Sequence, residues 1–402
     1  MAELTASRTR IQSIDLLRGV VIVIMALDHV RDFFHVAGAS DTPTNLVTTT
    51  PALFFTRWIT HFCAPVFVFL AGTSGFLQGL RKSKKELSLF LIKRGLWLVL
   101  AEVVVVTLGI TFDPAYHLFI LQVIWAIGAS MIILGLLIWL PFPVILFYGL
   151  AVVFLHNMLD APEAAMAARK EELPFWWKFI HSGFFFQPFS ASAPARGLLV
   201  IYAFLPWSGV MALGYCFGKL FSREVDAAYR KKALIYIGCG LIALFLILRG
   251  LNQYGDPLYW SEQSRGAVYT VLSFFNVQKY PPSLVYLCMT LGPAILLLAF
   301  LENIKNRAGS FFITFGRVPF FFYVLHFYLI HIICVVLFYK EGFGSGDIVP
   351  PGSPFLFRPL DFGYSLWIVY LIWISVVLAL YPLCKKYDRY KSTHQKWWTS
   401  YV

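Results

Sequence analysis

Long apolar runs separated by short basic clusters fill almost the whole chain. Taking about 20 residues per membrane span, this pattern predicts an all-α polytopic bundle of about ten transmembrane helices. The predicted spans are residues 12–34, 58–79, 90–111, 117–139, 142–158, 197–220, 233–250, 283–301, 311–338 and 364–384. Lys and Arg gather at alternate ends of these runs: Arg8 and Arg10, then Arg81, Lys82, Lys84, Lys85, Lys93 and Arg94, then Lys219, Arg223, Arg230, Lys231 and Lys232, then Lys305 and Arg307. The stretch from Lys385 to Lys396, with Lys386, Arg389 and Lys391, joins the same side. By the positive-inside rule that side is cytoplasmic, both termini lie there, and an even helix count agrees. One domain is expected over 1–402, with a core at 11–384 and a cytoplasmic basic tail at 385–402. The opposite side carries long connections at 36–57, 159–196, 251–282 and 339–363, rich in aromatic residues, Pro and Gly, and these are expected to pack as an extracytoplasmic cap. Pro174 to Ile180 (PFWWKFI) suits the membrane interface, where Trp is favoured.

Composition narrows the class. Of 402 residues, 59% are apolar and 13% charged, and the mean hydropathy of +0.70 is that of a protein embedded in lipid. The net charge of +12 comes from the clusters between apolar runs, so it reads as membrane topology and not as a nucleic-acid surface. Cysteines 63, 216, 239, 288, 334 and 384 lie in or beside apolar runs without a CxxC, which argues for core packing and against a metal site or a disulfide framework. The first apolar segment carries Asp15, Arg18 and Asp28 and lacks a small-residue cleavage site, so it is expected to be retained. The absence of an Asn-x-Ser/Thr acceptor favours a bacterial plasma membrane.

The candidate chemistry begins in the first helix, which is hydrophobic yet charged. Arg18 and His29 are eleven residues apart, about three turns, so they share one face roughly 16 Å apart, with Asp15 within about 40° of it. Such groups cost at least about 2.5 kcal/mol each at mid-bilayer, so they are expected to face a protein interior or a wet cavity. Asp28, His29, Arg31, Asp32 and His35 crowd the helix end. His29 and Asp32 are spaced to hydrogen-bond, as a general base and its orienting carboxylate would be; for Arg31 and His35 the alternative is contact with lipid headgroups. His61 opens a second run, HFCAPVFVFLAGTSGF, on the side of His29, with Pro65 able to kink it. In the ninth predicted helix Arg317 is placed for an anion or phosphate contact, and Tyr323 and His326 follow deeper in, a satisfied core histidine being the alternative for His326 and more so for His331. Further candidates on the cap side are Arg249, Asp256, Arg265 and Lys279.

Ser13 to Gly19 (SIDLLRG), the apolar run to Asp28-His29, and Phe62 to Gly72 (FCAPVFVFLAG) resemble the opening of the heparan-alpha-glucosaminide N-acetyltransferase family. The stretches at 316–326 (GRVPFFFYVLH) and 279–293 (KYPPSLVYLCMTLGP) resemble that family's bacterial membrane members. Arg18 and His29, with ten residues between them, also resemble the active-site pair of the type 3 membrane acyltransferases. The resemblance implies an acyl-coenzyme A donor, acetyl-coenzyme A or another acyl-CoA, reaching the site from the cytoplasm, a catalytic histidine, and a carbohydrate or glycan acceptor on the far side. The animal lysosomal members place their histidine further beyond the first core helix, and carry a luminal region ahead of it without a counterpart in this sequence. The choice among His29, His35 and His61 therefore stays open. The expected catalytic set is His29 as base with Asp32, His61 and His35, and the expected donor-binding set is Asp15, Arg18, Arg94, Arg317, Tyr323 and His326, with no metal. The competing reading is a proton-coupled secondary transporter using Asp15, Arg18 and His29, against which stands the lack of a second copy of that charge pattern. Besides the lipid bilayer and a glycan, a homodimer is among the partners the sequence allows.

Overall fold

The computed structural model describes residues 11–38, 40–186, 196–302, 304, 306–349, 355–394, 396 and 399. Arg8, Arg10, Lys305, residues 187–195 of the second expected loop and 350–354 of the fourth lie outside them. The chain is 71% helical, so the all-α expectation holds. In order the elements are α1 (Gln12–Phe34), α2 (Pro51–Thr60), α3 (Cys63–Gly79), α4 (Lys84–Ala101), a π-helical turn (Glu102–Val106), α5 (Thr107–Thr111), β1 (Leu118–Leu121), α6 (Val123–Leu137) and α7 (Phe142–Leu155). Then come α8 (Asp160–Ala168), α9 (Phe175–Trp177), β2 (Phe184–Phe186), β3 (Gly197–Val200), α10 (Phe204–Phe217), α11 (Ala227–Leu251) and α12 (Ala267–Phe275). The last four are α13 (Leu284–Leu301), α14 (Arg307–Arg317), α15 (Pro319–Lys340) and α16 (Leu366–Thr393).

Six helical stretches among the described residues are long and apolar enough to cross a membrane unaided: Pro51–Gly79, Phe142–Ala168, Ala227–Leu251, Leu284–Leu301, Pro319–Lys340 and Leu366–Thr393. The predicted count of about ten is larger because it included helices that do not qualify on length and composition. Two of them, α1 and α4, carry several charges each, and α6 is only 15 residues long. Two predicted helix starts are strands instead. Residues 118–121 and 197–200 pair in parallel, Leu118 opposite Gly197 through Leu121 opposite Val200, and β2 adds antiparallel to β3. Residues 118–121 and 197–200 are short apolar runs rich in leucine (LFIL and GLLV), which periodicity alone does not assign to strand or helix, and pairing decides.

α1 is the axis of the molecule. It packs against α2, α3, α13, α14, α15 and α16, and most of its residues are buried, as its charges require. Its crossing with α14 is backbone on backbone: a Cβ on Gly19 would sit 1.8 Å from the Phe312 carbonyl oxygen, and one on Gly316 would sit 1.8 Å from that of Asp15. α14 ends at Arg317 and α15 starts at Pro319, because the residue before a proline avoids the helical region and Val318 adopts φ −130°, ψ 49°. The predicted helix at 311–338 is thus two helices. The helix predicted at 58–79 begins earlier and is interrupted at His61 and Phe62. Pro65 has no N–H to give to the His61 carbonyl four residues back, and the Tyr286 hydroxyl donates to that carbonyl instead, at 2.8 Å.

Candidate active site

The two ends of α1 build different sites. Near its start the expected donor-binding residues Asp15, Arg18 and Arg317 come together. Arg18 Nη1 lies 3.1 Å from Asp15 Oδ1 and donates to the Gly316 carbonyl at 3.2 Å, while its Nη2 donates to Ser74 Oγ at 2.9 Å. Arg317 stands 3.9 Å from Asp15 Oδ2 and 3.3 Å from Asp388 Oδ2 on α16. Arg94 sits on α4, 6.0 Å over the Phe90 ring. Other ends of this basic face meet in the same way, Arg230 at the start of α11 pairing with Glu302 at the end of α13 at 2.6 Å.

At the far end α1 opens on a cavity of about 490 Å³, the size of a small-molecule site. Its lining comes from the end of α1, the loop after it, α2 and the α2–α3 break, the residues after β1 and β3, and the segment 276–280. Asp28 is the electrostatic hub. It accepts from Thr60 Oγ1 at 2.9 Å, meets Arg31 Nη1 at 2.7 Å, hydrogen-bonds to Arg57, and has Lys279 Nζ at 4.0 Å. Three cations around one buried carboxylate are tolerated only because each is paired with it.

His29 faces this cavity, its ring 4.4 Å from Phe327, 5.2 Å from His326 and 6.5 Å from Tyr323, centre to centre. The three rings lie on α15 below it, so the expected pair Tyr323 and His326 are neighbours of His29. The expected hydrogen bond between His29 and Asp32 is absent among the described residues. Asp32 lines the cavity, but its carboxylate takes the guanidinium of the adjacent Arg31 at 2.5 Å, a charged donor outcompeting a neutral ring. His61 also lines the cavity, 3% exposed, with Nδ1 lacking a partner among the described residues and its ring 5.6 Å from Tyr286. His35 is outside the lining. It ends α1, its Nδ1 accepts from the Ala37 N–H at 3.1 Å, and its carbonyl accepts from Arg358 at 2.8 Å. His326 gives Nδ1 to the Tyr323 carbonyl, and its Nε2 has no partner among the described residues.

The remaining cap-side candidates hold loops. Arg249 donates to the carbonyls of Leu258, Ser273, Phe274 and Asn276, and Arg265 donates to those of Leu46 and Thr49. Asp256 accepts from Ser283 Oγ at 2.6 Å and from the N–H groups of Leu258 and Gln278. Lys279, Arg57, Thr60 and Gln122 belong to the site; of these the sequence alone pointed to Lys279. Arg57 was read as part of a loop, and only the fold brings it to Asp28 across 29 residues of chain. Glu102 was also missed, although a lone carboxylate inside LWLVLAEVVVVTLG is a signal that sequence reasoning can use.

A model of the family described as "Heparan-alpha-glucosaminide N-acetyltransferase, catalytic" matches residues 10–253, more than half of the chain. The chain belongs to this family. The matched stretch holds α1, α2, α3 and the π-helical turn, and so includes Asp15, Arg18, Asp28, His29, Arg57 and His61. No curated relative matches the chain. Membership in the N-acetyltransferase family, together with the apolar helices, makes this a membrane acetyltransferase in the broad sense and does not favour a transporter.

Proposed function

We propose that the chain transfers an acyl group, acetyl first among them, from acyl-coenzyme A on the cytoplasmic side to an amine or hydroxyl of a sugar or glycan held in the far cavity. The observation that carries this reading is that one buried helix links an arginine cluster at one end to a histidine facing a 490 Å³ cavity at the other. Arg18 and Arg317, with Arg94 on the same face, hold the donor's phosphates, for which forked guanidinium groups are suited. The acyl end of the donor lies against Tyr323 and His326. His29 removes a proton from the acceptor as the acceptor atom bonds to the acyl carbon and the carbon–sulfur bond breaks, and that proton passes on to the leaving thiolate, which departs as the free thiol. Asp28 and Asp32 beside it set the field, and His61 faces the acceptor from the α2–α3 break. Thr42, Thr44, Asn276 and Gln278 in the lining offer the neutral polar groups that a sugar's hydroxyls need. The molecule works as a single multi-pass unit of the bacterial cell membrane, with the basic face and both termini in the cytoplasm. Proton-coupled transport by Asp15, Arg18 and His29 fits less well, because the family that the chain belongs to is one of acetyltransferases.

Purified, folded protein tests the reading. Wild type binds acetyl-coenzyme A and turns it over, and His29→Ala lowers turnover by about 10² or more with donor binding nearly unchanged. Full turnover by that variant removes His29 from the mechanism. Sidedness is tested in a cysteine-free background: cysteines at Ser83 and Ser222 stay shielded from an impermeant thiol reagent in intact cells, and one at Ser345 is labelled. Labelling at Ser83 reverses the orientation.

A further inference from the structure

We propose that the acceptor group is a hydroxyl on an acidic sugar, one bearing a carboxylate or a phosphate, and that Lys279 and Arg57 bind that negative charge. The inference deepens the acyl-transfer reading and rests on it. It begins from a buried ammonium with nothing to bond. Lys279 is 8% exposed and lines the far cavity, yet its Nζ donates no hydrogen bond among the described residues. Asp28 Oδ2 stands at 4.0 Å, beyond hydrogen-bond reach, and the centre of the Tyr280 ring at 5.2 Å. Arg57, also in the lining, gives only Nη1 to Asp28, so its Nε and Nη2 have no hydrogen-bond partner among the described residues. Burying a cation is costly unless it is both paired and hydrogen-bonded. An anion on the ligand supplies the acceptors that the protein does not.

The charges around Asp28 do not balance. Three cations, Arg31, Arg57 and Lys279, meet the carboxylates of Asp28 and Asp32, and Arg31 alone takes both, Asp28 at 2.7 Å and Asp32 at 2.5 Å. The third carboxylate of the lining, Asp41, is spent inside its own loop. It accepts from the Thr42 N–H at 2.7 Å, from Asn45 Nδ2 at 3.0 Å and from Thr48 Oγ1. One positive charge is left over at the hub, and an anionic group on the ligand neutralises it through charge-assisted hydrogen bonds. The same arrangement repels an ammonium, since each carboxylate of the lining is already taken and the open donors are cationic. An aminosugar would have to lose a proton before entering, and a hydroxyl carries no such cost. In the transfer the hydroxyl oxygen bonds to the acyl carbon, the carbon–sulfur bond breaks, and the hydroxyl's proton passes by way of His29 to the departing thiol. An ester and free coenzyme A result. The family's name specifies the nitrogen of a glucosaminide, whereas the charges of this cavity favour oxygen.

A panel of small acceptors tests this with purified protein and acetyl-coenzyme A. Methyl glucoside is the neutral sugar, methyl glucuronide and glucose 6-phosphate are the acidic ones, and methyl glucosaminide is the amine. Wild type should acylate an acidic sugar with kcat/KM about tenfold or more above that for the glucoside, and should use the glucosaminide less well than the glucoside. The carboxylate and phosphate arms show which anion fits. Lys279→Gln should cut the preference for the acidic sugar over the neutral one by about tenfold, through KM, and Lys279→Arg, which keeps the charge, should retain most of it. A merely structural lysine would lower transfer to all acceptors alike. Asp28 keeps Arg31 and Arg57 in Lys279→Gln, and the wild-type panel carries the test by itself if that variant does not fold. Equal use of neutral and acidic sugars, best transfer to the glucosaminide nitrogen, or a preference unchanged in Lys279→Gln overturns the inference, while transfer itself keeps the broader reading in place. No transfer to any of the four sugars overturns that broader reading and the inference with it.

Discussion

α1 carries the same pair twice, an aspartate followed three residues later by an arginine: Asp15 with Arg18 at 3.1 Å near its start, Asp28 with Arg31 at 2.7 Å near its end. The pairs have the same helical spacing and similar burial, yet one closes a joint and the other helps line a chamber. At the start, Gly19 and Gly316 let two helix backbones touch, and Arg18 spends its donors on a backbone carbonyl and a serine. At the end, α2 brings Arg57 and Thr60 and the segment 276–280 brings Lys279 to Asp28, and space remains above them. The function of an i,i+3 ion pair is thus set by what the rest of the chain places opposite it. Backbone contact fixes it, and side chains from a second helix and a distant loop make it a site.

The largest expected effect tests the far end. Asp28→Asn leaves Arg31 and Arg57 without their common carboxylate, and an uncompensated buried charge costs about 3–5 kcal/mol. Thermal melting in detergent should show a severe loss of stability. A shift worth less than about 1 kcal/mol would mean that water in the cavity solvates these cations well enough to make the hub dispensable. The next effect belongs to the joint. Gly316→Ala puts a Cβ 1.8 Å from the Asp15 carbonyl oxygen, so α1 and α14 must separate, at about 1–3 kcal/mol. The same substitution should weaken donor binding and leave the far cavity's residues in place. Unaltered melting would show that the crossing is not tight.

Arg18 sharpens the contrast on the functional side. Because Arg317 remains 3.9 Å from Asp15, removing Arg18 does not isolate the carboxylate, and the stability lost in Arg18→Ala should be smaller than in Asp28→Asn. Its main effect should be on the donor, with Kd for acetyl-coenzyme A rising about tenfold, ~1.4 kcal/mol, and only part recovered by Arg18→Lys because the fork geometry is lost. Calorimetric titration decides it. Unchanged donor binding would confine Arg18 to the joint.

How much of this was legible depends on the range of the interactions. Helical periodicity within α1 gave the shared face of Asp15, Arg18 and His29, because those relations are local. The partner of Asp32 was misread because its spacing to His29 permits a hydrogen bond, while the adjacent Arg31, a stronger donor, takes the carboxylate. Arg57 meeting Asp28, Lys279 reaching the same carboxylate and Gln122 fixing Glu102 are contacts between distant segments, and no period in the sequence encodes them. The strands at 118–121 and 197–200 escaped for the same reason, since a short apolar run becomes a strand only when a partner arrives.

The smallest expected effect concerns the break that turns His61 toward the cavity. In an uninterrupted helix the N–H of residue 65 would bond the carbonyl of residue 61, but Pro65 has none, and the Tyr286 hydroxyl, on a fully buried ring, supplies the missing donor at 2.8 Å. Tyr286→Phe should therefore cost about 1 kcal/mol, the net value of one hydrogen bond. A second substitution tells whether that bond stands in for the helix. Pro65→Ala returns an N–H to the position from which the carbonyl would ordinarily be satisfied, so Tyr286→Phe should cost less in the Pro65→Ala background than in wild type. The difference is the coupling energy of a double-mutant cycle read from melting in detergent. Full additivity would mean that Tyr286 and Pro65 act independently, and that the break at His61 is held open by the packing of α2 against α1 and α12.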